Sequence, residues 1–145
     1  MTPGEHHFRK LERMYLGAPI NRYYEPRLTV TEGQAVVEFA VRPDFHHPGG
    51  AIHGSIYFKA LDDSAFFAAN SVVPEVFVLT SAFTTYILRP VSQGVLKATG
   101  TVVNRSRSLI LAESVVHDAE GKMVARGSGT FMPSKIALTA DIGYR

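Results

Sequence analysis

The residues from His46 to Ser71 read HHPGGAIHGSIYFKALDDSAFFAANS. They open as a glycine-rich loop and pass through His53-Gly54-Ser55, after which no helix breaker occurs before Pro74. Ile56, Tyr57, Phe58, Ala60, Leu61, Ala65, Phe66, Phe67, Ala68 and Ala69 cover most of the helix circumference. A helix that is apolar nearly all round is a buried one. Its middle nevertheless carries two adjacent carboxylates, Asp62 and Asp63. A carboxylate inside a core is costly unless it is paired or put to use, so this pair marks the first place to look for chemistry.

The flanking segments read as strands. Upstream, Thr2-Pro3-Gly4-Glu5 is a helix start with a capping-box spacing, and Phe8, Leu11 and Tyr15 share one face of a helix over 3–16. We expect this short helix to lie on the body as a lid. Residues 18–26 are irregular, and Leu28–Thr31 and Gln34–Val41 form a hairpin about Glu32-Gly33. Downstream, Val76–Arg89 is a long strand with apolar residues at both parities, which predicts cover on both faces. Val95–Val103 alternates, Asn104–Ser108 reads as a polar turn, and Leu109–His117 and Met123–Met132 flank the turn Asp118–Gly121. Gly127 and Gly129 leave room for close packing. The tail 133–145 carries no clear pattern.

The sum is one α+β domain over 1–145: a long central helix wrapped by a curved antiparallel sheet, with a short N-terminal helix. The four strands after the central helix, joined by short connections, are expected to be neighbours in sequence order. The sheet's outer face and edges need cover, which predicts association of subunits.

Composition narrows the function. The basic residues are scattered and the net charge is only +2, so a nucleic-acid binder is disfavoured. The absence of cysteine excludes disulfides, thiolate metal sites and a cysteine nucleophile. No HExxH is present, and two adjacent loop histidines are poor simultaneous ligands, so no metal site is expected. Neither a signal core nor a run of about 20 apolar residues occurs, and we read the protein as soluble, cytoplasmic and without membrane partners.

The string G-x-x-H-G-S followed by an aspartate, the strand ending Ile87-Leu88-Arg89-Pro90, and the ending Asp118-x-x-Gly121-x-x-Val124-Ala125-x-Gly127-x-Gly129-Thr130-Phe131 together resemble the hotdog-fold acyl-CoA thioesterases of the PaaI-like branch. The match spans roughly 28–132. It implies hydrolysis of acyl- or aryl-CoA thioesters without a cofactor, in a homodimer or homotetramer whose active sites lie between subunits. The family aspartate stands nine positions after the motif histidine, so the resemblance assigns the catalytic carboxylate to Asp62. Gly50, His53 and Gly54 match the motif. His47 stands where the family has asparagine, and Ser55 replaces the second glycine. Thr80 matches a residue that helps place the attacking water. The segment with Asn104, Arg105, Arg107 and Ser108 corresponds to one that approaches CoA, with Ser106 replacing a glycine.

The residue chemistry fits this. A helix N-terminal N–H at Gly54 can polarise a thioester carbonyl, and a carboxylate can serve as general base or nucleophile. Gly54 and Asp62 are separated by about 12 Å of helical rise, too far to meet one carbonyl within one subunit. Other readings stay open beside these. Asp63 has the spacing to pair with Lys59 on a helix surface, and Asp62 could pair with Lys59 as well. His53 could simply order the loop, and Thr80, Arg105 and Arg107 could be ordinary polar residues. Tyr57, Phe58, Phe66 and Phe67 could line an acyl pocket or belong to the core. A hotdog protein that binds acyl-CoA or lipid without turnover is the rival reading, and a hotdog dehydratase a weaker one. Position 47 discriminates: an imidazole in the cleft favours the enzyme, whereas one facing solvent with the cleft closed by Ser55 favours the binding protein.

Overall fold

A computed structural model describes all 145 residues. The N-terminal helix α1 (Pro3–Leu16) is closed by the expected capping box, with Thr2 accepting from the Glu5 N–H and Glu5 accepting from the Thr2 N–H. A single turn, α2 (Asn21–Tyr24), follows. Strands β1 (Arg27–Thr31) and β2 (Gln34–Ala40) form the hairpin. The glycine loop leads into the central helix α3 (Gly54–Ser71). Strands β3 (Val76–Ile87), β4 (Val95–Arg105), β5 (Ile110–His117) and β6 (Met123–Ala137) complete the chain.

The six strands form one antiparallel sheet in the order β1-β2-β4-β5-β6-β3. This corrects the expectation of neighbours in sequence order. β3 does not pair with β4; it closes the far edge beside β6, and β4 lies against β2. The connection 88–94 makes the crossing possible because the body holds it at several points. Leu88 and Arg89 donate to the Val124 carbonyl, Val91 is buried and accepts from Ile52, and the Gly94 carbonyl accepts from Val41. Several bounds also move. The last strand runs on to Ala137, Asn104 and Arg105 belong to β4 rather than to a turn, and a short 3-10 turn spans Ala140–Ile142.

β3 is not covered on both faces. A bulge at Ser81, between the pairs Thr80–Phe131 and Ala82–Thr130, shifts the strand by one residue. Val78 and Thr80 face inward before it, and Phe83 and Thr85 after it, which explains why apolar residues occur at both parities. Leu79, Tyr86, Ile87 and Leu88 are left about half exposed in the single chain, at 48, 59, 50 and 52%. Gly127 and Gly129 accept a close neighbour as expected: a Cβ at either would strike the Phe83 ring.

α3 lies in the hollow of the sheet on a bed of small residues, Ala35, Ala98, Gly100 and Ala112, all buried. Its buried face includes Ile56, Tyr57, Ala60, Leu61, Ser64, Ala65 and Ala68. Two buried serines satisfy themselves on helix carbonyls: Ser64 donates to Ala60 and Ser114, from β5, to Leu61. Asn70 stitches the helix end to β3, donating to the Val73 and Val76 carbonyls and accepting from the Val78 N–H. This is the hotdog arrangement that the sequence resemblance implies. α1 packs on the body as a lid. His7 donates through Nε2 to the Asn70 carbonyl (2.9 Å) and accepts the Tyr144 hydroxyl at Nδ1 (2.7 Å), tying helix, lid and tail together.

A Cβ on Gly100 would overlap the Ser64 carbonyl and the Ala65 nitrogen, backbone that has no rotamer to give. Gly100→Ala is therefore expected to destabilise the fold by about 2–4 kcal/mol, read as a lower urea midpoint, whereas Gly121→Ala, at an open turn, should cost about 1 kcal/mol from its positive φ alone.

Candidate active site

The loop before α3 is held by its own backbone. His46 and Ile52 form an isolated bridge, Gly50 adopts a positive φ of 86°, and Ser92 donates to the Gly50 carbonyl at 2.9 Å. His53 is the helix N-cap: its Nδ1 accepts the Ser55 N–H at 3.1 Å and lies 2.8 Å from the Ser55 hydroxyl. These bonds make His53 a cap that orders the start of the helix, and they turn the Ser55 hydroxyl onto His53 rather than across the cleft. Gly54, the first helical residue, keeps its N–H free of any acceptor in the chain. An N–H at that position carries the positive end of the helix dipole.

His47 is exposed, and its Nδ1 accepts the Gly49 N–H at 2.9 Å. A backbone N–H can only donate, so in the neutral ring the proton sits on Nε2 and remains available as a donor. His47, Gly54, Tyr57, Ile87, Arg89 and Pro90 border a cavity of about 310 Å³. The Tyr57 hydroxyl is committed to the Arg89 carbonyl at 2.7 Å.

Asp62 faces a different space, a cavity of about 680 Å³ with Phe66, Phe67, Phe77 and Leu79 among its walls. Thr80 donates to Asp62 Oδ1 at 2.8 Å, which leaves Oδ2 without a protein partner. Burial pushes the Asp62 carboxyl up to about 6, opposed by the Thr80 hydrogen bond; the neighbouring Asp63 adds to the rise and Lys59 offsets part of it. Lys59 pairs with Asp63, at 2.7 Å, and not with Asp62. The expected Lys59–Asp63 pair exists, but it is not on the surface: the side chains are only 11% and 14% exposed, and the Tyr15 hydroxyl donates to the same carboxylate oxygen at 2.6 Å. The correction follows from α1, which covers this face of α3.

A third cavity, about 510 Å³, lies at the other end of α3 among Val72–Val76, with Arg105, Ser106 and Arg107 on its rim. Asn104 and Ser108 do not border it. Within one chain the candidate residues thus fall into three groups, and Gly54 does not share a cavity with Asp62. Among the aromatic helix residues, Phe66 and Phe67 border the Asp62 cavity, while Phe58 is part-exposed and packs edge-on against Phe83. Sequence reasoning missed Tyr15, Leu79 and the tail residues Asp141, Ile142 and Gly143 as walls of that cavity. Tyr15 was visible only as an apolar-face residue of α1, and no spacing connects it with Asp63.

The Thioesterase superfamily profile matches residues 49–125, which contain the loop, α3, β3, β4, β5 and the start of β6. The chain belongs to the Thioesterase superfamily. A Saccharolobus solfataricus protein named as a candidate esterase is 29% identical over 104 residues, 72% of this chain and 74% of its own. The E. coli PaaI protein from the phenylacetic acid degradation operon superposes with a TM-score of 0.86 over 95% of this chain and 100% of its own, at 21% identity. A Haemophilus influenzae thioesterase gives 0.75 over 83% and 85%, at 17% identity. These likenesses establish the hotdog fold, and the superfamily's chemistry is thioester hydrolysis. No helix is long and apolar enough to cross a membrane.

The raised Asp62 carboxyl has a stability consequence. Between the ordinary 3.8 and about 6, the folded chain binds a proton that the unfolded chain releases, so Asp62 costs stability as pH rises through that window and the full cost persists above it. Asp62→Asn keeps an acceptor for Thr80 and removes the charge. It is expected to stabilise the protein by about 1–3 kcal/mol at pH 8, with the gain vanishing by about pH 4, in paired thermal melts.

Proposed function

We propose that this protein hydrolyses acyl- or aryl-CoA thioesters at a site shared by two subunits, with Asp62 as the reacting carboxylate. The observation that carries the reading is the combination of a half-buried, raised carboxylate, free at Oδ2 and facing an apolar cavity, with an unpartnered helix N-terminal N–H at Gly54.

The chemistry proceeds as follows. Asp62, largely ionised near neutral pH, takes a proton from water at Oδ2 while Thr80 holds Oδ1. The water oxygen adds to the thioester carbon, and the carbonyl oxygen becomes an oxyanion that accepts the Gly54 N–H, with His47 Nε2–H as a second donor. The carbon–sulfur bond then breaks, and the proton on Asp62 passes to the leaving thiolate. The products are the free acid and CoA. In direct attack, Asp62 Oδ2 adds to the carbonyl carbon, and the carbon–sulfur bond breaks to leave a mixed anhydride and the thiolate. Water then hydrolyses the anhydride to the free acid and Asp62 while its proton passes to the thiolate. Phe66, Phe67, Phe77 and Leu79 offer the acyl group an apolar wall, and Arg105 and Arg107 are suited to CoA phosphates.

The placement of β3 supports a shared site. Its outer edge is unpaired, and it borders both cavities, through Leu79 and Thr80 at one end and Ile87 at the other. An isologous antiparallel pairing of two β3 strands about an axis near the middle of the strand runs the Thr80 end of one subunit alongside the Ile87 end of the other. Gly54 sits against Ile87, since a Cβ on Gly54 would lie 3.2 Å from Ile87 Cδ1. The pairing therefore brings one subunit's Gly54 toward the other's Asp62, and it covers the exposed apolar edge. A homodimer is the least assembly that completes the site, and a dimer of dimers would preserve it.

Free-thiol release from a panel of short, long and aromatic acyl-CoAs tests the reading. We expect turnover that falls below about pH 6 and is lost in Asp62→Asn. Binding of CoA esters without turnover on any member would instead favour the non-hydrolysing acyl-CoA binder. Asp62→Asn and Gly54→Val subunits, each inactive alone, should recover about a quarter of wild-type activity after random mixing, because about half of the dimers carry one intact site of two. No recovery in verified heterodimers would place both groups in one subunit's site.

A further inference from the structure

Beside Asp62 lies a cluster that hydrolysis as written above does not use. Asp63 and Lys59 occupy successive turns of α3 and pair at 2.7 Å. Tyr15, on α1, donates to the same Asp63 oxygen at 2.6 Å. The Lys59 ammonium lies 5.3 Å from the Tyr15 ring centre and 5.0 Å from that of Tyr24. Tyr15 itself is buried edge-on against Phe67, with ring centres 5.0 Å apart. Lys59, Asp63 and Tyr15 all border the Asp62 cavity.

Such a cluster is an unusual use of buried charge. Ion pairs seldom stabilise a fold more than apolar residues of the same shape would. This one sits next to a carboxylate that must ionise in the same poorly solvated space. An uncompensated Asp63 would hold Asp62 protonated, and an uncompensated Lys59 would hold it strongly ionised and a weak base. Paired, the two act on Asp62 in opposite directions. We propose that Tyr15, Lys59 and Asp63 are positioning residues for Asp62, a charge-balanced triad anchored in the N-terminal helix that sets how readily Asp62 ionises. This inference rests on the reading of Asp62 as the reacting group only for its catalytic consequence; the electrostatic coupling stands apart from it.

The groups that face Asp62 are few. α3 contributes Lys59 and Asp63, α1 contributes Tyr15, and β3 contributes the neutral hydroxyl of Thr80. Tyr24 reaches Lys59 from α2, and Asp141 borders the cavity from the exposed tail. Burial and the two aspartates push the Tyr15 hydroxyl up, so it stays protonated and acts toward Asp63 only as a donor. The signs of the couplings follow. Asp63 raises the Asp62 carboxyl and Lys59 lowers it.

The test is a ¹³C-carboxyl NMR titration of Asp62 in the intact protein, from about pH 4 to about pH 8, beside the pH–rate profile of the same samples. Asp63→Asn leaves Lys59 unbalanced and should lower the Asp62 midpoint by about one pH unit. Adding Lys59→Met to that variant should return the midpoint to within about 0.3 unit of wild type. Tyr15→Phe keeps every charge but removes the hydroxyl dipole from Asp63; it should raise the midpoint by about half a unit, and this arm stands if Asp63→Asn does not fold. A midpoint unmoved by Asp63→Asn overturns the proposal. So does the same downward displacement with and without Lys59, which would mark a packing effect. A midpoint that moves as expected while the acid limb of the rate profile stays fixed would uphold the triad's control of ionisation and overturn Asp62 as the reacting group.

Discussion

The close seat of α3 in the sheet is the constraint on which the other features depend. Gly100 has no side chain because the Ser64 carbonyl and Ala65 nitrogen occupy the space where one would be. Ala35, Ala98 and Ala112 continue the same shallow bed, so the sheet can wrap a helix that is buried over most of its length. A rod fixed this firmly also fixes the distances along it. The free N–H of Gly54 and the carboxylate of Asp62 stand about 12 Å of rise apart, and no side-chain motion alters that separation. The helix that makes the fold compact is therefore the element that divides the candidate site into halves.

The same burial explains the chemistry of the carboxylates. Removing Asp62 from water is what lifts its carboxyl to about 6, near the range where a base can both hold and release a proton at neutral pH. Burial acts on Asp63 in the same direction, yet Lys59 and Tyr15 counter it. Two adjacent aspartates on one helix thus have different partners: Asp62 has a single hydroxyl and an open oxygen, and Asp63 has an ammonium and a hydroxyl on one oxygen. The difference arises because successive helical positions point about 100° apart, one toward β3 and the other under α1.

Much of this was legible in the sequence, for identifiable reasons. The continuous apolar surface of 56–69, the hairpin turns at Gly33 and Gly121, and the capping box at Thr2 are local signals, and each is found where expected. The Lys59–Asp63 spacing was also local, but its burial depended on α1, a distant segment. The place of β3 at the sheet edge was not legible, since strand order is decided by where the crossing 88–94 is held. The bulge at Ser81 hid the true alternation of β3 and made an edge strand resemble a central one. Within the site, His53 and Gly54 could be read because N-caps and helix starts obey local rules. The contact of Thr80 with Asp62 could not be read from spacing; the family resemblance singled out Thr80 only as a residue that helps place water.

β3 carries the consequence furthest. An unpaired edge with Leu79, Tyr86, Ile87 and Leu88 exposed is a hazard for a lone chain, because it invites indiscriminate strand addition. The two-fold pairing we propose would remove that hazard and unite the halves that α3 holds apart. An antiparallel two-fold pairing would serve both ends at once, since it runs the Thr80 end of one strand along the Ile87 end of the other. On this argument the exposed edge and the divided site are two results of one geometry. If the site is shared as we propose, a chain that evolved cover for β3 by some other means would keep its fold, its cavities and its raised carboxylate, and would still lack a place where a thioester could meet both Gly54 and Asp62.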